Sequence, residues 1–146
     1  MYPVILNLKN KPVVVIGGGK VAARKIKGLV RSEARVTVVS PSLDPSIDLA
    51  TINWVPRTYQ PTDLLEACLI FACVDDNEIN EQIQLDASPT QWVNVVSNKE
   101  VADFYNMAVL DYDGLSIGIS TNGVSPSRAK QTRKQLEIWL KEQNEV

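Results

Sequence analysis

The stretch VVVIGGGKVA, residues 13–22, constrains this chain more than any other. Four β-branched residues stop at three consecutive glycines, and helical spacing begins at once. Nearly continuous β-branched runs suit strands buried on both faces, as in a parallel sheet. Val21, Ala22, Ile26, Leu29 and Val30 fall on one side of a helix, and residues 36–39 form a second β-branched run. Residues 13–39 therefore predict a strand–helix–strand unit of ordinary length. Gly28 either weakens that helix or admits a close neighbour.

The glycines match G-x-G-x-x-A in the context that pattern requires, after a strand and at the start of a helix. Gly17 suits the tight turn, Gly19 lets backbone approach a pyrophosphate, and Ala22 keeps the helix close to the sheet. The helix start offers N–H groups and partial positive charge to phosphate. A dinucleotide cradle is the expectation, against a purely structural turn. Dinucleotide binders usually end the second strand with an acid, roughly 20 residues on, that holds the ribose. Here that strand ends VTVVSPS, so Ser40 or Ser42 is left to meet a ribose hydroxyl. Arg24 and Lys25 leave NADP open beside NAD.

Strands are predicted again at 52–55, 69–73 and 93–96. Helical stretches are predicted at 61–67 and at 77–87, the latter with Ile79, Ile83 and Leu85 inward. This alternation implies an α/β, Rossmann-like, doubly wound parallel sheet. After Ser97 the pattern weakens and reads as loop with a helical turn. Residues 115–120 read as strand, followed by a helix with Ser125 as N-cap, Pro126 in its first turn, and Ala129, Leu136, Trp139 and Leu140 as its apolar stripe. The division expected is a nucleotide-binding domain over 1–112 and a small strand–helix segment over 113–146.

Composition narrows the function. The chain is 45% apolar and 22% charged, with no histidine, which removes the commonest general base and metal ligand. Cys68 and Cys73 fit no zinc or redox spacing and read as small buried residues. No metal site and no nucleic-acid partner is expected. No apolar run approaches the ~20 residues of a membrane helix, and MYPVILNLKNK lacks the basic start of a secretory signal, so a cytoplasmic location is expected. Residues 1–43 hold eight Lys/Arg against one Asp/Glu, 44–113 two against thirteen, and 114–146 five against three. Basic ends suit an anionic ligand.

VVVIGGGKVAARK, followed in order by ARVTVVSP, ACVDDNEIN, VNVV and ISTNGVSPSRAK, resembles the dehydrogenases of siroheme biosynthesis: the precorrin-2 dehydrogenases and the N-terminal part of siroheme synthase. The resemblance implies NAD-dependent oxidation of precorrin-2 to sirohydrochlorin, with ferrous iron insertion in some members. It implies NAD over Gly17, Gly18, Gly19, Lys20, Val21 and Ala22, beside Ser40, Pro41 and Ser42, and past Cys73, Val74 and Asp75. It also implies tetrapyrrole contacts at Asn94, Ser120, Thr121, Asn122, Gly123, Ser125 and Arg128, and a homodimer built by the segment from about Asp113 onward. The substrate is rich in carboxylates, which the basic ends would suit.

The chain departs from that family in four places. An aspartate, taken as base and metal guide, usually follows VNVV. Here Ser97 stands there, with Asp103 as the nearest substitute. Met107 occupies a position usually held by proline, and Glu33 one usually held by glycine at a helix end. The chain stops at Val146, before further helices many members carry, so poorer tetrapyrrole binding or a different dimer is expected; without the aspartate, efficient chelation is not. An alternative is a catalytically degenerate NAD-binding sensor or partner subunit. Small NAD-binding regulatory domains of potassium transport systems share the glycine loop, but keep an acid where Ser40 stands and lack ISTNGVSP.

Overall fold

The computed structural model describes residues 2–143. They divide into two compact units, Val4–Tyr105 and a C-terminal unit of residues 106–143 with residues 2 and 3. The division falls ahead of the expected boundary at 112, because the strand before that boundary pairs with the strand after it.

The first unit is built on five parallel strands, β1 (Pro12–Ile16), β2 (Arg35–Val39), β3 (Asn53–Val55), β4 (Leu69–Ala72) and β5 (Trp92–Val95), in the order β3-β2-β1-β4-β5. Helices α1 (Lys20–Arg31) and α2 (Asn77–Asp86) connect them. This is the Rossmann-like sheet expected from the sequence. The pleat of β1 sends Val13 and Val15 to one face, into a layer with Ala22, Ile26, Leu29, Val38 and Phe71. It sends Val14 and Ile16 to the other, with Leu64, Ile70, Ile83, Val93 and Val95. All four are at most 2% exposed, and burying each such side chain stabilises the fold by about 1.5–3 kcal/mol. Residues 61–67 give a short 3-10 turn, Pro61–Leu64, rather than an α-helix.

Several inward assignments shift. α2 buries Asn80 and Ile83, while Ile79 and Leu85 are exposed. The buried face recurs at helical spacing but carries an asparagine, which a hydrophobic pattern does not register. Val21 is exposed on the opening turn of α1. Cys73 is buried but Cys68 is exposed, its backbone N–H and thiol both donating to the Pro12 carbonyl just before β4 begins.

In the second unit, residues read as loop instead form β6 (Ala108–Tyr112), antiparallel to β7 (Leu115–Ile119). Asp113 and Gly114 make the two-residue turn with φ of 44° and 76°, the left-handed pair that a tight hairpin demands. Met107 packs where a Cβ on Gly118 would lie. Helix α3 (Pro126–Gln143) follows, with Ser125 Oγ accepting from Arg128 N–H as its N-cap. Of its stripe, Ala129 is buried and Trp139 is largely exposed.

The end of α1 holds two residues in each other's favoured place. Glu33 has φ 56°; its N–H donates to Val30 and that of Ala34 to Leu29, a Schellman ending that favours glycine. Gly28, inside the helix, has open space where a Cβ would stand, so the close-neighbour reading falls away. Gly28→Ala is expected to stabilise the protein by about 1 kcal/mol. Glu33→Gly is expected to add about 1 kcal/mol by relieving the left-handed strain, less the small contribution of the exposed Lys9–Glu33 pair. Urea denaturation checks both: the midpoint should rise with an unchanged slope.

Candidate functional site

The chain reverses direction across the sheet between β1 and β4, and ligands of such sheets bind outside the strand ends at that point. The three glycines lie there with three different duties. Gly17 has φ 113°, and a Cβ on it would run into the Cys73 carbonyl. A Cβ on Gly18 would strike the Ser42 carbonyl and crowd Ser40 and Leu43. Nothing stands within 4 Å of a Cβ built on Gly19. Gly19 is also the N-cap of α1, with no side-chain cap and no acidic residue in the first turn. The open space over Gly19 and the unpaired N–H groups of the first turn fit a pyrophosphate. Ala22, fully buried against the sheet, permits the close approach of α1.

The loop after β2 docks on Gly18. Asp44 N–H donates to the Gly18 carbonyl at 2.6 Å. Ser40 is buried; its hydroxyl donates to the Ser42 carbonyl, and its own carbonyl accepts from Trp54 Nε1. Ser40 thus shapes the loop, while Pro41 and Ser42 are exposed. Asp44, unremarked in the sequence, brings a carboxylate into this loop. Hydrogen bonds from the Ser46 hydroxyl and N–H lower its pKa, helped by nearby Lys20.

After β4 come Cys73, Val74 and Asp75. Burial pushes the Cys73 thiol up to about 12, so it stays a neutral thiol rather than a nucleophile. Burial also lowers the pKa of Lys25, whose ammonium lies 5.6 Å from the centre of the Phe71 ring. Val74 is held by Asn80: its N–H donates to Oδ1 at 3.1 Å and its carbonyl accepts from Nδ2 at 2.8 Å. The same Nδ2 reaches Ser97 Oγ at 3.3 Å. Asn80 carries no periodic signal in the sequence; its one sequence mark is the spacing DDNEIN, an N-cap Asp76 with an amide one turn on.

Ser97 is exposed just beyond β5. Asp103 is not beside it: its carboxylate accepts from Val93 N–H and Gln84 Nε2 near the start of β5, away from the open strand ends. Asn94 is also turned from the opening. It is 3% exposed, its Nδ2 donates to the Phe104 carbonyl, and its Oδ1 is buried without a hydrogen-bond partner. A shallow cleft lined by Pro12, Arg35, Thr37 and Asn53 lies at the strand starts and carries none of this machinery.

In the C-terminal unit, Ser120 and Thr121 hydroxyls accept from Asn122 and Ser125 N–H. Asn122 and Gly123 are left-handed, with φ 51° and 74°. The turn leads into the start of α3, where Arg128 is exposed. Among the described residues no three His, Cys, Asp or Glu side chains gather as a metal-holding group, and no helix is long and apolar enough to cross a membrane.

The glycine cradle, the open start of α1 and the sheet order define a dinucleotide-binding domain of the Rossmann class. Residues 4–108 match the family described as "Putative NAD(P)-binding", a nicotinamide-cofactor family. The chain is 33% identical over 141 residues to the precorrin-2 dehydrogenase of Bacillus subtilis (strain 168), covering 94% of this chain and 87% of that one. It is 35% identical to siroheme synthase 1 of Aeromonas salmonicida (strain A449), covering 94% of this chain and 31% of that longer protein. The solved structure of SirC, precorrin-2 dehydrogenase, superposes with a TM-score of 0.85 at 31% identity, over 93% of this chain and 69% of the other. The chain belongs to the precorrin-2 dehydrogenase family.

The differing surroundings of Gly18 and Gly19 separate folding from binding. Gly18→Ala is expected to destabilise by about 1–3 kcal/mol, because backbone at Ser42 must give way. Gly19→Leu is expected to keep its stability and lose most of its NADH affinity. Denaturation and NADH fluorescence titration check the pair, and an unchanged affinity in folded Gly19→Leu would remove the cradle assignment.

Proposed function

We propose that this chain oxidises precorrin-2 to sirohydrochlorin with NAD as hydride acceptor. The uncapped start of α1 under an empty Gly19 position carries the cofactor half of this reading; family membership carries the substrate half. Gly17 to Ala22 would hold the pyrophosphate, and Pro41 and Ser42 would border the ribose. Asp44, a carboxylate pinned to Gly18 through its own N–H, disfavours a second phosphate there and supports NAD over NADP. When bound, the nicotinamide supplies a two-electron hydride acceptor. One C–H bond of the substrate breaks as hydride, and the accompanying proton leaves to a base or water. Arg128 and the turn at 120–125 are read as holders of substrate carboxylates.

A serine at 97 has no useful basicity near neutral pH. The chain can position substrate and cofactor, which hydride transfer chiefly needs, but the departing proton has no dedicated carboxylate. Chelation, which calls for the same carboxylate, is not assigned. The tie of Asp103 to Val93 N–H also favours a second reading, an NAD-binding partner subunit without turnover. Exposed Val109, Leu115, Ile138 and Trp139 in the C-terminal unit suit a homodimer; sedimentation should show one, and a monomer at assay concentration would refute it.

Single-turnover formation of NADH from precorrin-2 decides between the readings. The wild type is expected to be slow with NAD and slower with NADP. Ser97→Asp is expected to accelerate it toward the ~10²–10⁴ that general-base assistance supplies. A fast wild type with a neutral Ser97→Asp would mean that substrate and water take the proton. Inactivity of both, with NAD still bound, leaves the non-catalytic subunit.

A further inference from the structure

We infer that Asn80 is a positioning residue that holds the cofactor-facing turn after β4 and the base position after β5 in one register. The inference rests on the function just proposed for position 97 and on the cofactor contact at residues 73–75 that the family resemblance implies. β4 and β5 pair in parallel through Ala72 and Val95, and the Val96 N–H still donates to the Ala72 carbonyl. Continued by two residues, that register would set Val74 against Ser97. The strands part instead, and the Asn80 amide stands in the gap.

Asn80 is fully buried, where an amide is costly unless its hydrogen bonds are made. Here both N–H groups have partners, Val74 C=O and Ser97 Oγ, and Oδ1 accepts from Val74 N–H. The amide acts toward Val74 as an adjoining strand would, through one donor and one acceptor. Asp76 fixes the amide in turn: its carboxylate caps α2 at Glu78 and Ile79, and its carbonyl accepts from Asn80 N–H. One side chain therefore sets the separation of two loops that hydride transfer and proton loss must use together. It also offers an N–H donor to whatever occupies position 97, and a carboxylate there would be favoured in its ionised form.

The test has two readouts, neither needing turnover. Asn80→Ala, checked for folding by circular dichroism, is expected to bind NADH about tenfold more weakly, as for loss of a clamp with charge-neutral hydrogen bonds. In the Ser97→Asp background, the introduced carboxylate is titrated by carbon-13 NMR. Adding Asn80→Ala should move its midpoint up by about one pH unit, since the stabilising N–H is gone. If Asn80→Ala does not fold, Asn80→Leu keeps the size of the side chain, loses both donations and adds no charge beside position 97. It should shift both readouts in the same directions. Unchanged NADH affinity in a folded variant overturns the Val74 half, and an unmoved midpoint overturns the reach to position 97. A purely structural asparagine would lower the melting temperature and move neither. Failure to oxidise precorrin-2 would remove the activity proposed above and leave both measurements valid. A wild type that does not bind NADH would remove that reading and leave the carboxylate titration to judge Asn80.

Discussion

The site depends on a backbone-to-backbone approach between the ends of β1 and β4. The Gly17 N–H donates to Val39 at 2.9 Å and the Cys73 N–H donates to Ile16 at 2.8 Å, so β2, β1 and β4 are tied together where they end. A side chain on Gly17 would occupy the Cys73 carbonyl, and its φ of 113° is one that L residues rarely adopt. The turn therefore tightens until α1 starts at Lys20, with its N-terminus over the strand ends. The anion-attracting end of α1, the docking of Asp44 on Gly18, and the placement of Val74 all follow from that contact.

The sheet was legible because two periodicities met at one point, a buried β-branched run and a helical stripe separated by three glycines. What stayed illegible lacked a periodic signal. β6 reads as loop because AVLDY buries little beyond Leu110, and a lightly buried strand does not alternate cleanly. The Asp113-Gly114 pair carried the hairpin information instead, through its demand for left-handed backbone. In α2 the apolar Ile79 and Leu85 drew the inward assignment, although the helix faces the sheet with Ile83 and an amide. Cys68 reads as core because it adjoins LIFA, yet it precedes the strand and lies exposed.

The site was legible to the level of residue type but not of role. GGGKVA announces a cradle, and no spacing rule distinguishes a glycine excluded by a neighbouring carbonyl from one that leaves room for a ligand. Only tertiary contact separates Gly18 from Gly19. The same holds for hydroxyls. Ser40 looks available for a ribose in the sequence, but a strand end must satisfy its own backbone groups, and Ser40 serves the Ser42 carbonyl and Trp54 instead. Asp103 is likewise spent on the Val93 N–H, where the adjoining strand edge needs an acceptor.

These commitments explain how a chain can lose a carboxylate at position 97 without losing its fold. The buried Asn80 amide needs an acceptor for its second N–H, and an unsatisfied donor there would cost about 1–3 kcal/mol. A serine hydroxyl and a carboxylate both satisfy it, so exchange between them leaves the surrounding hydrogen bonds intact. The exchange changes charge and basicity at position 97 while leaving the Asn80 amide an acceptor. Binding of the dinucleotide, as proposed, would draw on the glycine loop and the start of α1, which contain no carboxylate or histidine. In the proposed reaction, proton removal would draw on position 97. The architecture thus separates holding the reactants from accepting the proton, and the second can weaken while the first persists.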